Sequence, residues 1–368
     1  MKLFIYMMNN SISVKNASVG LLLIILVGLS FNMLTDKPKI TFSRINELNL
    51  DLFDVAEGVY TFKDEIFVVG WKYNISKQES NACLSKLDSN GEAIWSKILD
   101  FRDAHGREIS CNKDGIYLVG DAKDETLGSY QYIVKYDFNG NQEWIINGTQ
   151  VSDVEATEEY IFFLKDNNLI KLDHENQVIW EKAVTGTAIF INDNIVYVGG
   201  STTLNATGGC DVLVTAVDNE GNILWNSRRT SDIGDQLADV CATDDGVYII
   251  GSGTKGWDSS FITMFDPVGV QLWDKKLISS VNGSLHSIFS YENQVYAVGA
   301  LGDSPSEFDT LFTVIDNKGT IVWSDVINSE GEYYAYGIFS DKSKVYVVGS
   351  KSTPHSVERT GTLLVYKK

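Results

Sequence analysis

The 368-residue sequence contains few of the residues that mark several functional classes. It has only four prolines, four cysteines and four histidines, and 49 acidic residues outnumber 30 basic ones. The formal net charge of −19 argues against a nucleic-acid partner, because a phosphate backbone requires a basic face. No two cysteines have the C-x-x-C spacing of a zinc site. We therefore predict neither nucleic acid nor a metal as a ligand.

Long hydrophobic runs are also scarce, and the one exception lies near the N-terminus. Residues 17–34 (ASVGLLLIILVGLSFNML) carry no charge and follow two lysines. They predict one hydrophobic helix, either an uncleaved transmembrane anchor or the h-region of a cleaved signal, with 1–16 before it and a linker at 35–39. The length and the poorly defined cleavage site favour the anchor. Both interpretations place 40–368 outside the cytoplasm, membrane-anchored in a single pass or secreted.

Four N-x-S/T sequons agree with export, since this motif is the acceptor for N-glycosylation in exported chains. Each falls in a predicted loop or at a predicted strand end. The acceptor residues are Asn74, Asn147, Asn205 and Asn282.

Beyond residue 40 the sequence repeats one unit. A hydrophobic run ending in glycine occurs six times, and a weaker copy, YIFFL (160–164), lies between the second and third. The six runs are IFVVG (66–70), IYLVG (116–120), IVYVG (195–199), VYIIG (247–251), VYAVG (295–299) and VYVVG (345–349). Runs without alternation are typical of strands covered on both faces.

Each unit continues with a turn that begins with aspartate and a strand that carries tryptophan. In five turns Asp is first and Gly fourth, as in Asp88–Gly91, which fits a type I turn whose fourth residue has positive φ. Asn176 takes the glycine position in a sixth turn. We expect the tryptophans to pack between neighbouring sheets; they are Trp95, Trp144, Trp180, Trp225, Trp273 and Trp323.

The number of units predicts the fold. A repeat of about 47 residues that contains only strands is typical of β-propeller blades. There are seven hydrophobic runs but six tryptophan strands, and the last unit stops after its third strand. The segment 40–46 resembles the missing fourth strand. The sequence therefore predicts, over 40–368, an all-β, seven-bladed propeller of four-stranded antiparallel blades, closed by the N-terminal strand.

The repeat VYVVG–loop–D-x-L-x-x-x-x-D-x-x-G-x-x-x-W resembles the SBBP-type β-propeller repeat of bacterial and archaeal envelope proteins, and more distantly those of quinoprotein-like propellers. Asp211 and Asp309 match the first aspartate of this pattern, and blade three departs most from it. The resemblance implies export and a binding or scaffolding role without a shared catalytic centre. The adjacent cysteine pair of quinoprotein dehydrogenases is missing, so we predict no cofactor.

Candidate catalytic residues come from aligning the inner strands, with a gap of one residue in blade two. The alignment places Glu108, His286 and Tyr336 at the central channel, where they are candidate acid–base groups, although polar lining of a channel is the simpler interpretation. Four cysteines are compatible with two bridges, Cys83–Cys111 and Cys210–Cys241, or with buried free thiols.

The sequence thus favours an extracytoplasmic, membrane-anchored propeller that binds or scaffolds rather than one that catalyses. Its ligand is expected to be a protein or a glycan at the loop face or the channel mouth, because loops differ while strands repeat. The alternative is a glycan-active hydrolase or lyase that uses the channel. A pair of channel carboxylates with raised pKa values would favour this alternative.

Overall fold

The structure, a computed structural model, describes residues 41–124, 128–202, 210–229, 234–253, 260–276, 282–304, 307–327, 332–353, 356 and 358–368. These residues form 28 β-strands. The predicted hydrophobic helix and linker lie outside the described part of the chain. Among the described residues, no helix has the length and apolarity needed to cross a membrane.

The strands form seven four-stranded antiparallel sheets, which are the blades. Blades one to three contain β2 (Val55–Phe62), β3 (Glu65–Asn74), β4 (Glu79–Leu87) and β5 (Ala93–Ile98); β6 (His105–Asn112), β7 (Gly115–Asp124), β8 (Gly128–Tyr136) and β9 (Gln142–Gly148); and β10 (Val151–Ala156), β11 (Ile161–Lys165), β12 (Asn168–Leu172) and β13 (Val178–Ala183). Blades four to six contain β14 (Ala188–Asn192), β15 (Ile195–Ser201), β16 (Val212–Val217) and β17 (Ile223–Arg229); β18 (Asp235–Thr243), β19 (Gly246–Gly253), β20 (Ser260–Phe265) and β21 (Gln271–Lys276); and β22 (Asn282–Tyr291), β23 (Gln294–Ser304), β24 (Glu307–Ile315) and β25 (Ile321–Ile327).

Blade seven combines the two ends of the described chain. It contains β26 (Glu332–Ser340), β27 (Lys344–Ser352) and β28 (Arg359–Lys367), with β1 (Ser43–Leu50) as its outer strand. β1 pairs with β28 along its whole length. The predicted seven-bladed propeller of four-stranded antiparallel blades is confirmed.

The second strand of each blade forms the core, because neighbouring sheets cover both of its faces. In β3, the side chains from Ile66 to Val69 are at most 1% exposed. The glycine that ends this run is required by close packing: a Cβ at Gly70 would lie 2.1 Å from the carbonyl oxygen of Val55 on β2. The repeated hydrophobic run with its glycine therefore reflects a strand covered on both faces.

The aspartate turns have the predicted structure. The Asp88 carboxylate accepts hydrogen bonds from the amides of Asn90 and Glu92, and Gly91 has a φ of +89°. The sixth turn places Asn176 in the same left-handed region, at +63°. These carboxylates are therefore occupied in shaping the turns.

The tryptophans join neighbouring blades, as expected. Four indole Nε1 groups donate to the carbonyl oxygen of the residue that follows the turn aspartate in the next blade. The pairs are Trp95–Phe138, Trp180–Asn219, Trp225–Pro267 and Trp273–Asn317, at 2.9–3.1 Å. Within the described residues the Nε1 of Trp144, which faces blade three, finds no acceptor.

Blade three is the shortest blade. Asp166 and Asn167, both with positive φ, form a two-residue turn between β11 and β12, and these two strands are only five residues long. Lys165 ends β11 where other second strands have glycine. The weak YIFFL repeat therefore forms a complete but reduced blade.

All four cysteines are free, so the two bridges that the sequence allowed are not formed. Cys83 packs into the core between blades seven and one, whereas Cys111 packs into the core between blades one and two. The two side chains occupy different interfaces between blades and cannot be joined without moving the strands. Cys241 is buried in a third core, while Cys210 lies outside the strands.

Candidate functional site

The first strand of each blade lines the propeller axis, and in six blades it carries a β-bulge near its beginning. The inner strands begin at the edge where the second strands end, which we call the entry face. In five of these bulges a single residue is unpaired, and these residues, which we call the mouth ring, are Glu57, Arg107, Ala238, His286 and Tyr336. A bulge redirects the side chain that it carries, so the ring determines the chemistry of the channel opening.

The structure corrects the alignment of the catalytic candidates. Glu108 does not occupy the position of His286 and Tyr336, because the bulged residue of blade two is Arg107. Glu108 lies one residue further along its strand, and the gap assumed in blade two is not present. All three candidates nevertheless line the same axial cavity.

This cavity is narrow and ends in a group of aromatic rings. Its volume is about 110 Å³. Three residues beyond the mouth ring, about 10 Å along the strands, an aromatic plug fills the channel. The plug consists of Tyr60, Phe190, Phe289 and Phe339, whose neighbouring ring centroids are 4.4–5.5 Å apart. The entry face is therefore the accessible side of the cavity.

Four carboxylates line the cavity, three of them just beyond the mouth ring and the fourth, Glu155, at the register of the plug. We call them the carboxylate cluster: Glu108, Asp153, Glu155 and Asp239. Asp153, Glu155 and Asp239 are half-buried, whereas Glu108 is exposed to the cavity. Burial raises all four pKa values, to about 8 for Glu155 and about 6 for Asp239.

Mutual repulsion increases the effect of burial in this cluster. Besides burial, the charges of Asp239, Glu57 and Glu155 raise the pKa of Glu108, and the nearby guanidinium of Arg107 opposes them. Glu108 therefore holds its proton well above the usual pH range of a glutamic acid, as a general acid requires.

Two members of the cluster also connect neighbouring blades. Asp153 accepts a 2.6 Å hydrogen bond from the amide of Ile189, and Asp239 accepts one of 2.9 Å from the amide of Ile288. The hydroxyl of Ser287 also donates to Asp239. These aspartates are structural links between inner strands. Within the described residues Glu108 accepts no hydrogen bond.

The sequence analysis missed three of these four carboxylates. Asp153 and Glu155 alternate along β10 in the segment VSDVEA, and Asp239 follows the bulge of β18. Acidic residues that alternate with buried residues along a strand can be recognised from the sequence. The alignment missed them because it compared the bulged residues, such as Ala238, whereas Asp239 lies one residue further along its strand.

A polar network covers the opening beside blades one and two. Arg107 donates to both carboxylate oxygens of Glu57, at 3.1 and 2.9 Å, and to Asp121 at 2.7 Å. Trp71 donates to Glu57 at 2.7 Å, and the Nδ1 of His105 lies 3.0 Å from Asp121. The positive charge of Arg107 is therefore matched within the network.

Next to this network, blades six and seven contribute a row of rings. The His286 and Tyr336 rings lie 5.8 Å apart and nearly parallel, and Tyr334 follows at 6.3 Å from Tyr336. The guanidinium of Arg359 lies 5.4 Å from the centre of the Tyr334 ring. The row gives the entry face an aromatic and cationic side.

The described residues contain no group of three or more His, Cys, Asp or Glu side chains arranged to hold a metal ion. Among the sequon residues, Asn147 is exposed, while Asn74 is half-buried and accepts hydrogen bonds from Ser76 and Lys77. Asn205 and the Asn282 side chain lie outside the described part.

The comparisons with known proteins show the fold. No protein-family model matches the sequence, and no curated protein matches it. The chain is similar to the structure of BBS1N in complex with ARL6DN (9% identity, TM-score 0.57, 89% of this chain and 96% of that chain). It is also similar to the β-propeller domain of the Trilobed protease from Pyrococcus furiosus (11%, 0.54, 86% and 94%) and to a europium-containing methanol dehydrogenase (10%, 0.52, 89% and 93%).

These identities show a shared architecture and no more. The chain shares the fold of known β-propellers, which agrees with the propeller predicted from its repeats. Their activities and partners are not transferred to this chain by such a similarity.

Proposed function

We propose that the chain is an extracytoplasmic binding or scaffolding propeller whose ligand docks across the mouth ring on the entry face. The observation that carries this proposal is the closed, narrow channel. Its volume of about 110 Å³ is well below the roughly 300–1,000 Å³ of small-molecule pockets. A ligand of ordinary size therefore lies on the opening rather than inside it.

The side chains around the opening favour a protein ligand. Aromatic and arginine side chains are enriched at protein interfaces, and Tyr334, Tyr336 and Arg359 form one side of the opening. The similar BBS1N structure is a complex with ARL6DN, which is an example of a related fold that binds a protein. A glycan that stacks on the same rings is the other ligand class that we propose.

Site-specific photo-crosslinking tests the proposed face. A benzophenone side chain replaces Ile75, which is 81% exposed on the entry face, or Val268, which is 69% exposed in an aspartate turn at the opposite edge. Irradiation of intact producing cells is expected to give a discrete adduct from position 75 and none from position 268. Mass spectrometry of the adduct distinguishes a protein from a glycan. Adducts from both positions alike, or from position 268 alone, would refute docking on the entry face.

The proposal of an extracytoplasmic, anchored chain rests on residues 17–34, and membership of the SBBP-type repeat proteins rests on the repeat pattern. Protease added to intact cells is expected to digest 40–368, and Lys2 is expected to remain in the mature chain. Protection of the propeller until the membrane is broken would contradict export. Loss of Lys2 would instead indicate a cleaved signal.

A second candidate, a glycan-active hydrolase or lyase, is favoured by the carboxylate cluster. Glu108 has the raised pKa of a general acid, and ionised or hydrogen-bonded carboxylates surround it. Glu108→Gln is expected to abolish release of reducing ends from a glycan that the parent cleaves. Failure of the parent to cleave any of a panel of soluble polysaccharides would leave the binding proposal as the function.

A further inference from the structure

Ser284 and His286 form a hydrogen-bonded pair at the opening of the channel. The hydroxyl of Ser284 lies 2.6 Å from Nε2 of His286, and Nδ1 of His286 lies 2.7 Å from the carbonyl oxygen of Ala335. A carbonyl oxygen only accepts, so Nδ1 carries the proton. In the neutral ring Nε2 is then the acceptor, and the Ser284 hydroxyl donates to it. This is the arrangement of a nucleophile, a base and a group that orients the base.

The fold does not require this pair. The two backbone positions, the bulged residue and the residue two before it, recur in other blades with different side chains. They hold Val55 and Glu57, His105 and Arg107, Gln236 and Ala238, and Tyr334 and Tyr336. Among the five blades of the mouth ring, blade six alone places a hydroxyl against an imidazole, so the pair adds chemistry that the other four blades lack.

The surroundings of His286 suit a base. Burial lowers the pKa of His286, although its hydrogen bond to Ala335 acts in the opposite direction. The imidazole is therefore neutral at neutral pH. The Tyr336 ring packs parallel to it and holds its plane. Ser284 is only partly buried, and His286 lines the cavity, so a reacting group can approach from the entry face.

We propose that Ser284 and His286 form a nucleophile–base pair that hydrolyses carboxylic esters at the entry face. This activity goes beyond ligand binding and does not use the carboxylate cluster.

The reaction balances with water as the only co-substrate. The Ser284 oxygen bonds to the ester carbonyl carbon while Nε2 of His286 takes the hydroxyl proton. The bond from carbon to the leaving alcohol oxygen breaks, and this oxygen takes the proton from Nε2. Water then attacks the acyl carbon, loses a proton to Nε2, and releases Ser284, which recovers that proton.

A fluorophosphonate probe tests the nucleophile directly on the full chain. Peptide mapping is expected to find the phosphonyl adduct on Ser284, and Ser284→Ala is expected to abolish labelling. His286→Gln is expected to lower the labelling rate at least about 100-fold. The matched control is Ser252→Ala, a partly buried serine on β19 of the neighbouring blade, which is expected to change the rate by less than about twofold.

The mapping needs no variant, so a misfolded Ser284→Ala cannot obscure the result. An unlabelled parent, an adduct on another residue, or a rate unchanged by His286→Gln overturns the proposal. The parent is also expected to release p-nitrophenol from p-nitrophenyl acetate, with a rate that falls only as His286 becomes protonated below about pH 6.5. A rate that is independent of pH from 5 to 8 contradicts the role of His286.

Discussion

Glu155 illustrates how one residue connects the channel to the pH dependence of folding. Burial is the largest cause of its raised pKa, the hydrogen bond from Ser110 opposes it, and the charge of Asp239 adds to it. The folded chain therefore holds a proton that the unfolded chain releases near pH 4.3. The stability that this proton contributes is fully present below that pH and is lost as the pH rises towards 8.

We expect Glu155→Gln to reduce the loss of stability between pH 5 and pH 8 by about 1–2 kcal/mol, because glutamine keeps the bond from Ser110 without the titration. Urea unfolding of the parent and the variant at both pH values measures the effect. Glu175→Gln, at an exposed turn position, is the control and is expected to leave the difference unchanged. A Glu155→Gln variant with the pH dependence of the parent would contradict the raised pKa.

Part of the site was predicted from residue types and from their alternation along the inner strands. The rest depends on backbone geometry. Glu108, His286 and Tyr336 were predicted at the channel, and all three line the cavity. Their relative positions were wrong by one residue because the alignment assumed a gap in blade two that the structure does not contain. The Ser284–His286 pair was not predicted, because the alignment compared one position of each inner strand and Ser284 lies two residues before it.

At the scale of the elements, the tryptophan strand is the recurring link between blades. Trp95 donates its indole proton to the carbonyl of Phe138 in the next blade, whereas Trp144, one blade later, has no acceptor among the described residues. Both side chains are half-buried, so they offer a matched comparison of the hydrogen bond alone.

We expect Trp95→Phe to destabilise the chain by about 1–3 kcal/mol more than Trp144→Phe. Both variants lose similar packing, but only the first loses a hydrogen bond, and the second removes a buried donor that has no partner. The free energies of unfolding from urea titrations measure this difference. Equal costs for the two variants would show that the indole hydrogen bond does not stabilise the interface.

The elements themselves were largely predictable, because their signals are local. The aspartate turns, including the one completed by Asn176, follow from which residues tolerate positive φ. The double burial of the second strands follows from hydrophobic runs without alternation. The absence of bridges between Cys83 and Cys111 was not predictable, because it depends on which interface each side chain enters.

At the scale of the molecule, the count of repeats predicted seven blades, and the structure has seven sheets. The site on the entry face depends on how the seventh sheet is completed. Tyr334 and Tyr336 belong to β26 and Arg359 to β28, and β1 is the strand that pairs with β28 at the outer edge of their blade. We propose that this pairing closes the propeller, since it joins both ends of the described chain in one sheet and covers the edge of β28.

Hydrogen exchange of the segment 43–50, followed by mass spectrometry on the full chain, tests this closure most directly. The amides of β1 that bond to β28 are expected to exchange as slowly as those of β5, an outer strand of blade one with the same kind of partner. Exchange of 43–50 at the rate of an unstructured peptide, while 93–98 remains protected, would contradict a seventh blade completed by the N-terminal strand.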